Sequence, residues 1–250
     1  MLTGIERMRR CLVTLAVAWA AAMVFASDYG TIAMKADRFF AQKEWMSAAA
    51  MFTVMLDEQP RNADTYGKAI VTAGMRRMPA EQSQLMDRAL DYHVPFDSVF
   101  SAVERVSFSL GQTSMYEDFL NLVKHDKPWL GRSIDAYLLR YYVFRRNADG
   151  MIRCSEKMLE GLPDDVNFLS ILAQGLLIKG DFKGAMATYE RILTVSPDNY
   201  EALLYLGNYY KDRAEADGSY AARAREYLVK AQAIRDTPYL AAAIARLDGR

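Results

Sequence analysis

The apolar positions between residues 166 and 210 follow a pattern that occurs twice at a fixed distance. The residues of the two copies are Leu169, Leu172, Ala173 and Leu176, and then Leu203, Leu206, Gly207 and Tyr210. Between the copies, Ala185, Tyr189 and Ile192 have the spacing of one helix face. The pattern predicts antiparallel helix pairs, each of which needs a neighbouring pair to cover its apolar face.

Residues that end and begin helices stand between the predicted helices. Gly180 can adopt the positive φ that closes a helix, and Asp181 is suited to cap the next helix. Pro197 prevents the second helix of the pair from continuing. Small residues stand where two helix backbones are expected to approach closely, namely Ala173, Ala185 and Gly207. A larger side chain at such a crossing would cost about 1–3 kcal/mol.

Prolines extend this period over most of the chain. Six of the seven form a series with nearly equal intervals, apart from a longer last one, and they are Pro60, Pro95, Pro128, Pro163, Pro197 and Pro238. We interpret each as the end of a second helix, whereas Pro79 is expected in the first turn of one. A longer loop at residues 214–218 explains the longer last interval. The chain is thus predicted to form six hairpins, over residues 29–62, 63–96, 97–130, 131–165, 166–199 and 200–238, with a capping helix in residues 239–250.

Several helix boundaries in these hairpins are predicted from local residues. Asp97 is expected to be the N-cap at the start of the third hairpin. Residues 147–150 are interpreted as a turn, followed by a helix over residues 152–159. Asp164 and Asp165 are interpreted as a helix start, where carboxylates meet the positive end of the dipole, and not as paired catalytic groups.

The pattern resembles the tetratricopeptide repeat (TPR), whose signature W-x2-L-G-x2-Y, A-x3-F and P recurs with a period of roughly 34 residues. The fifth hairpin matches it at Leu169, Leu172, Ala173, Leu176, Ala185, Tyr189 and Pro197. The first hairpin matches the A-x3-F part with Ala48 and Phe52, and the second to fourth hairpins match mainly in period. The resemblance covers roughly residues 29–236 and implies an all-α fold, a right-handed α-solenoid.

The resemblance also implies a non-catalytic scaffold that binds a protein or peptide in a concave groove lined by the first helices of the hairpins. The residues expected on that side are Asp135, Leu139, Tyr142, Asn167, Ser170, Gln174, Glu201, Tyr205, Asn208 and Lys211. Some of them could equally be ordinary solvated helix positions. A subgroup of the family grips C-terminal carboxylates, but Asn208 and Lys211 lack the recurring basic partners of that mode. The alternative function is structural, as a tethering component of an envelope assembly bound through its convex face or its ends.

The first 26 residues have the composition of a secretory signal peptide. Three arginines precede an apolar run from Cys11 to Phe25, which ends in small residues before the polar Ser27. We expect cleavage after Ala26, and therefore a TPR-like protein of the exported bacterial type, periplasmic or extracellular. The rival interpretation is an uncleaved anchor, although the run is shorter than the roughly 20 residues that span a bilayer. Cleavage removes three Arg and one Glu from a chain of net charge zero, leaving −2.

Charge and motif content argue against other classes of function. The chain has no block of like charges, whereas a nucleic-acid surface needs a basic stripe. It has no nucleotide-binding loop and no zinc-protease motif. His93 and His125 lack partners at zinc spacing, and Cys154, the only cysteine after the leader, is expected in the core without a disulfide. We therefore expect no metal, no cofactor, no nucleic-acid partner and no enzymatic activity.

Overall fold

A computed structural model describes residues 29–249, and the predicted leader, residues 1–26, lies outside the described residues. Every regular element in residues 29–249 is helical. The helices are α1 (29–41), α2 (Trp45–Glu58), α3 (Ala63–Met75), α4 (Pro79–Asp91), α5 (Phe96–Ser109), α6 (Ser114–Asp126), α7 (Gly131–Arg145), α8 (Ala148–Gly161), α9 (Val166–Lys179), α10 (Phe182–Val195), α11 (Tyr200–Ala214), α12 (Ala221–Ile234) and α13 (Pro238–Asp248). Short 3-10 turns occur at Pro128–Leu130 and Gly218–Tyr220. The prediction of an all-α helical repeat is confirmed for this part of the chain.

The chain divides into two compact units, one ending at Leu130 and the other beginning at Gly131. Helices α1 to α6 belong to the first unit, and α7 to α13 belong to the second. Within the described residues, no helix is both long and apolar enough to cross a membrane.

In the first unit, α3 is the central helix. Eight of its thirteen residues are buried, so it has little of the polar face that a surface helix shows. Its closest neighbour is α5: a Cβ added to Gly67 would lie 2.6 Å from the Cβ of Ala102 and 2.8 Å from its carbonyl carbon. The rings of Phe100 and Phe119 meet edge to face at 6.0 Å, which joins α5 to α6. Only glycine allows the α3 and α5 backbones to approach this closely.

In the second unit, the core consists of the apolar residues that repeat in the sequence. Leu169, Leu203, Leu206, Leu228 and Leu240 are all buried in one cluster that extends from α8 to α13. Gly207 lies against α12, and a Cβ there would be 2.5 Å from Cδ2 of Leu228. The predicted need for a small residue at position 207 is therefore confirmed.

The turn inside each of the first five hairpins contains one residue with a left-handed backbone. These residues are Lys43, Arg77, Gly111, Arg146 and Gly180, with φ of 61°, 57°, 69°, 51° and 87°. In the second hairpin, the amide of Arg77 donates to the carbonyl of Gly74 (2.9 Å), and the amide of Met78 donates to that of Ala73 (3.0 Å). The other four turns have the same two bonds, which define the Schellman motif. The predicted positive φ of Gly180 is confirmed, but three of the five positions are not glycine.

The prolines and the caps at Asp165 and Asp181 lie where the sequence predicted them. Pro79 is the first residue of α4, and each proline of the periodic series follows a second helix. The carboxylate of Asp181 accepts the amide of Gly184 at 2.8 Å, and that of Asp165 accepts the amides of Asn167 and Phe168 at 2.9 and 3.1 Å. Both aspartates are therefore N-caps. The longer loop of the sixth hairpin contains a 3-10 turn at Gly218–Tyr220.

Two local predictions were wrong. Asp97 is not an N-cap, because α5 already begins at Phe96, after Pro95, and Asp97 lies in its first turn. Residues 148–150 are not a turn, because α8 already begins at Ala148. The side chain of Asn147 accepts the amide of Gly150 at 3.0 Å and so caps the helix at that point. The absent Cβ of Gly150 leaves room for the ring of Tyr142, whose Cγ would lie 2.3 Å from it.

Candidate interaction surface on the second unit

Seven of the ten residues predicted for the groove lie on α9 and α11. Asn167, Ser170 and Gln174 belong to α9, and Glu201, Tyr205, Asn208 and Lys211 belong to α11. Asn167 and Glu201 are exposed, and the other five are half-buried. Side chains of α13 meet those of α11 on this side, so we call the accessible side of α9, α11 and α13 the first-helix face.

The other three predicted residues, Asp135, Leu139 and Tyr142 of α7, are buried. Asp135 is only 1% exposed, and its carboxylate pairs with Nζ of Lys157 on α8 at 2.7 Å. The ring of Tyr142 covers Gly150, which is also on α8. Asp135 and Tyr142 thus contact α8, the hairpin partner of α7, and all three residues are too buried to form part of an accessible surface.

A hydrogen-bonded group joins α9 to α11. Nε2 of Gln174 donates to Oε1 of Glu201 at 3.4 Å, and the hydroxyl of Tyr189, on α10, donates to the same oxygen at 3.2 Å. Burial raises the pKa of Tyr189 far above its ordinary value, and the negative charge of Glu201 raises it further. The phenol of Tyr189 is therefore a fixed donor that orients the Glu201 side chain.

A second polar group joins α11 to α13. The hydroxyl of Tyr239 donates to Oδ1 of Asn208, and Nζ of Lys211 donates to the Tyr239 oxygen at 3.2 Å. The same ammonium lies 5.5 Å from the centre of the Tyr239 ring and 3.4 Å from a carboxylate oxygen of Asp212. Burial lowers the pKa of Lys211, but the contacts with Tyr239 and Asp212 outweigh it, so the net shift is upward. Lys211 thus stays protonated and is already engaged within the chain.

Stacked tyrosine rings follow the first-helix face. The Tyr189 and Tyr205 rings stack at 4.4 Å, and those of Tyr205 and Tyr209 at 6.3 Å. The guanidinium of Arg213 lies 4.4 Å from the centre of the Tyr209 ring and ends the series. We call Tyr189, Tyr205, Tyr209 and Arg213 the aromatic ladder. Such parallel contacts stabilise the positions of the rings beyond simple burial.

The predicted set did not include Tyr189, Tyr209, Arg213 or Tyr239. Tyr239 stands at the start of α13, where Thr237 is the N-cap and Pro238 the first helical residue. That start resembles the beginnings of α9 and α11, and could have marked α13 as another first helix. Tyr189 matches the repeat signature as a core residue, and it is indeed buried. Its hydroxyl nevertheless reaches the surface group through Glu201.

The histidines and Cys154 form no site. His93 has a left-handed backbone, with φ of 60°, just after α4. His125 is exposed, and its Nδ1 lies 2.9 Å from the carboxylate of Asp126. Cys154 is buried, which confirms the core interpretation. Across residues 29–249, no group of three or more His, Cys, Asp or Glu side chains is arranged to hold a metal ion.

The chain was compared with protein families, with curated sequences and with solved structures. No protein-family profile matches the chain. No curated protein sequence matches it either.

Solved structures that are similar include TPR proteins. The C-terminal part of a TPR repeat-containing protein from Cytophaga hutchinsonii is 16% identical, with 86% of this chain and 94% of that chain covered and a TM-score of 0.41. A putative protein binding protein from Bacteroides ovatus is 19% identical, with 75% and 98% covered and a TM-score of 0.45. YrrB, described as a TPR protein with an unusual peptide-binding site, is 16% identical, with 84% and 88% covered and a TM-score of 0.30. At these values the similarity transfers no function.

The class of protein follows from the chain's own geometry. Helical hairpins repeat at a nearly constant period, each of the first five turns through a Schellman motif, and small residues stand at close helix crossings. The described residues thus form a TPR-like array of helical hairpins.

Proposed function

We propose that the protein is a non-catalytic scaffold that binds an extended segment of another protein on the first-helix face. The observation that carries the proposal is the fixed orientation of two side-chain amides on that face. Neither amide is fully used within the chain, and each keeps one kind of hydrogen-bonding group for a ligand.

The two amides offer complementary groups. Nε2 of Gln174 donates to Glu201, which leaves the carbonyl oxygen of Gln174 as an acceptor. Oδ1 of Asn208 accepts from Tyr239, which leaves the amino group of Asn208 as a donor. An extended peptide carries both N–H and C=O groups that need partners once they leave water. Gln174 can accept from the first kind and Asn208 can donate to the second.

The half-exposed tyrosines add contact area at low entropic cost. Tyr205 and Tyr209 are held by ring stacking, and Tyr239 by its bonds to Asn208 and Lys211. A ring that is already fixed loses little freedom when a partner covers it, so more of the contact energy is retained. Tyrosine is also among the residues enriched where binding energy concentrates in protein interfaces.

Export is part of the proposal and is supported by the composition of residues 1–26. The mature protein would begin at Ser27 and act in the periplasm or outside the cell. Intact mass of the protein purified from its native host tests this. A mass that includes residues 1–26 would indicate an anchored protein and contradict the proposed location.

Site-specific cross-linking tests the binding surface. A photoreactive benzoylphenylalanine replaces Asn167, which is exposed on α9, and in a matched protein it replaces Glu160, which is exposed on α8. We expect a defined partner to be captured from native-host extract at position 167 and not at position 160. Capture only at position 160 would move the site to another face and favour the tethering alternative.

A double variant then tests the role of the amides with the captured partner. Gln174→Ala with Asn208→Ala removes about two neutral hydrogen bonds of roughly 0.5–1.5 kcal/mol each. Binding measured by calorimetric titration should weaken about ten- to hundredfold, at roughly 1.4 kcal/mol per decade. The control is Gln84→Ala with Asn121→Ala, two exposed amides on α4 and α6. Equal affinities of the two double variants would refute the amide contacts.

A further inference from the structure

On the first-helix face, the carboxylate of Glu201 has hydrogen-bond donors but no partner of opposite charge among the described residues. Its Oε1 accepts from Gln174 and Tyr189, both of which are neutral donors. No lysine or arginine within residues 29–249 pairs with this carboxylate. Glu201 is exposed, so its second oxygen is accessible from solvent. The carboxylate is thus held in place by neutral donors and has no cationic partner among the described residues.

The cations nearest in sequence on the same helix are committed elsewhere. Lys211 lies ten residues further along α11, about 15 Å at the helical rise per residue, and it is bound to Tyr239 and Asp212. Arg213 lies over the Tyr209 ring. On α9, the one charged residue is Lys179, which pairs with Asp149 of α8 at 2.7 Å.

The groups beside Glu201 also favour a cation. Tyr205 stands four residues later and so shares the same face of α11, and its half-exposed ring is fixed by stacking on Tyr189. The carbonyl oxygen of Gln174 is a third electron-rich group at the same place. Within this unit, arginine already lies over two tyrosine rings at 4.4 Å, Arg213 over Tyr209 and Arg223 over Tyr210. The carboxylate and the Gln174 carbonyl, beside this ring, thus form a receptor for a guanidinium or ammonium group.

We propose that the segment bound on the first-helix face carries a basic side chain, preferably arginine, which pairs with Glu201 and also bonds the Gln174 carbonyl. This inference rests on the proposed function. Arginine is preferred over lysine because its planar guanidinium presents several donors, so it can bond the second oxygen of Glu201 and the carbonyl oxygen of Gln174 at the same time. The ligand side chain should be positively charged because the Glu201 carboxylate has no cationic partner among the described residues.

Selection of random peptides displayed on phage tests the inference on the whole protein from residue 27. The targets are the wild type, Glu201→Gln, Glu201→Lys and the control Glu160→Gln, which makes the same charge change on an exposed residue of α8. We expect arginine and lysine to be enriched at one peptide position on the wild type and on Glu160→Gln. The enrichment should disappear on Glu201→Gln and turn to aspartate and glutamate on Glu201→Lys. Helical circular dichroism of each target verifies that it is folded.

A synthetic version of the most enriched peptide supplies the affinity. Its binding to Glu201→Gln should be about three- to tenfold weaker than to the wild type, as expected for the loss of one partly exposed ion pair. Enriched peptides without basic preference, or a preference that persists on Glu201→Gln, would overturn this inference and leave the proposed function standing. Failure to select any peptide on the wild type would overturn both.

Discussion

The two compact units specify their helices by different means. In the second unit, five helices begin with a side chain that accepts a backbone amide: Asn147, Asp165, Asp181, Asn199 and Thr237. In the first unit, α3 alone among α2 to α6 begins this way, through Asn62. The first unit instead buries most of α3 and brings its backbone close to α5. The second unit thus marks its helix starts with local capping residues, and the first unit depends more on packing between helices.

The comparison explains why the repeat is easy to recognise in one unit and hard in the other. A helix start that is capped by its own side chain is visible in the sequence, because the capping residue and its spacing are local. A helix that is held by burial can vary its termini, provided that its apolar residues and its close crossings are kept. The first unit therefore keeps the period of the repeat while losing most of the signature.

The largest effect is expected at the α3–α5 crossing. Gly67→Ala would place a methyl group against the backbone of Ala102, which cannot move aside as a side chain can, so we expect the free energy of unfolding to fall by about 1–3 kcal/mol. Gly207→Ala meets the Leu228 side chain first and should cost less. Urea denaturation measures both.

Gly30→Ala is the control for these two variants. A Cβ on Gly30 has no atom within 4 Å, so this change should be neutral or slightly stabilising. If Gly67→Ala behaves like Gly30→Ala, the α3 and α5 backbones are not as close as described.

The next effect concerns the helix caps. Asp165→Ala removes acceptors for two amides of α9 and should lower the free energy of unfolding by about 1 kcal/mol. Glu44→Ala is the counterpart in the first unit, where the N-cap residue of α2 makes no side-chain capping bond. It should change the same quantity by less than about 0.5 kcal/mol. Similar losses for the two variants, measured by thermal unfolding, would remove the proposed difference between the units.

A substitution in a hairpin turn should raise the free energy of unfolding instead of lowering it. Arg77 has a left-handed backbone, which costs a residue with a side chain roughly 1–2 kcal/mol. Glycine avoids this cost, but part of the gain is lost because glycine has more conformational entropy in the unfolded chain. Arg77→Gly should therefore stabilise the protein by about 0.5–1 kcal/mol. Gly180→Ala, at the equivalent turn of the second unit, should destabilise it by a similar amount. A lower melting temperature for Arg77→Gly would show that the arginine side chain makes a compensating contribution.

The smallest effect is electrostatic and lies between neighbouring hairpins. The hydrogen bond from Lys179, and then its charge, lower the pKa of Asp149 below its ordinary value of 3.8. Because the pKa of Asp149 is lower in the folded state, its carboxylate stabilises the fold at pH values above its ordinary pKa. This stabilisation is lost as the pH falls through the folded-state pKa. In Lys179→Met, carbon NMR should detect an Asp149 pKa that has risen toward 3.8. An unchanged pKa would mean that the ion pair is not formed in solution.

The sequence by itself determined the helical class, the period and most of the helix boundaries in the second unit. Those properties depend on local chemistry: prolines that cannot continue a helix, aspartates that accept its first amides, and apolar residues at helical spacing. The same repeat placed the seven polar and aromatic residues on the first helices that the structure has as α9 and α11.

Tertiary structure decided the rest. Asp135, Leu139 and Tyr142 occupy predicted groove positions but are buried, and Asp135 and Tyr142 contact α8, the hairpin partner of α7. Tyr239 joins the surface only because α13 packs beside α11, a contact between residues far apart in the sequence. Lys43, Arg77 and Arg146 adopt left-handed turns that nothing in these residue types favours, because the following helix must reverse direction there. Each of these features arises from contacts between helices, and no single helix in the sequence encodes them.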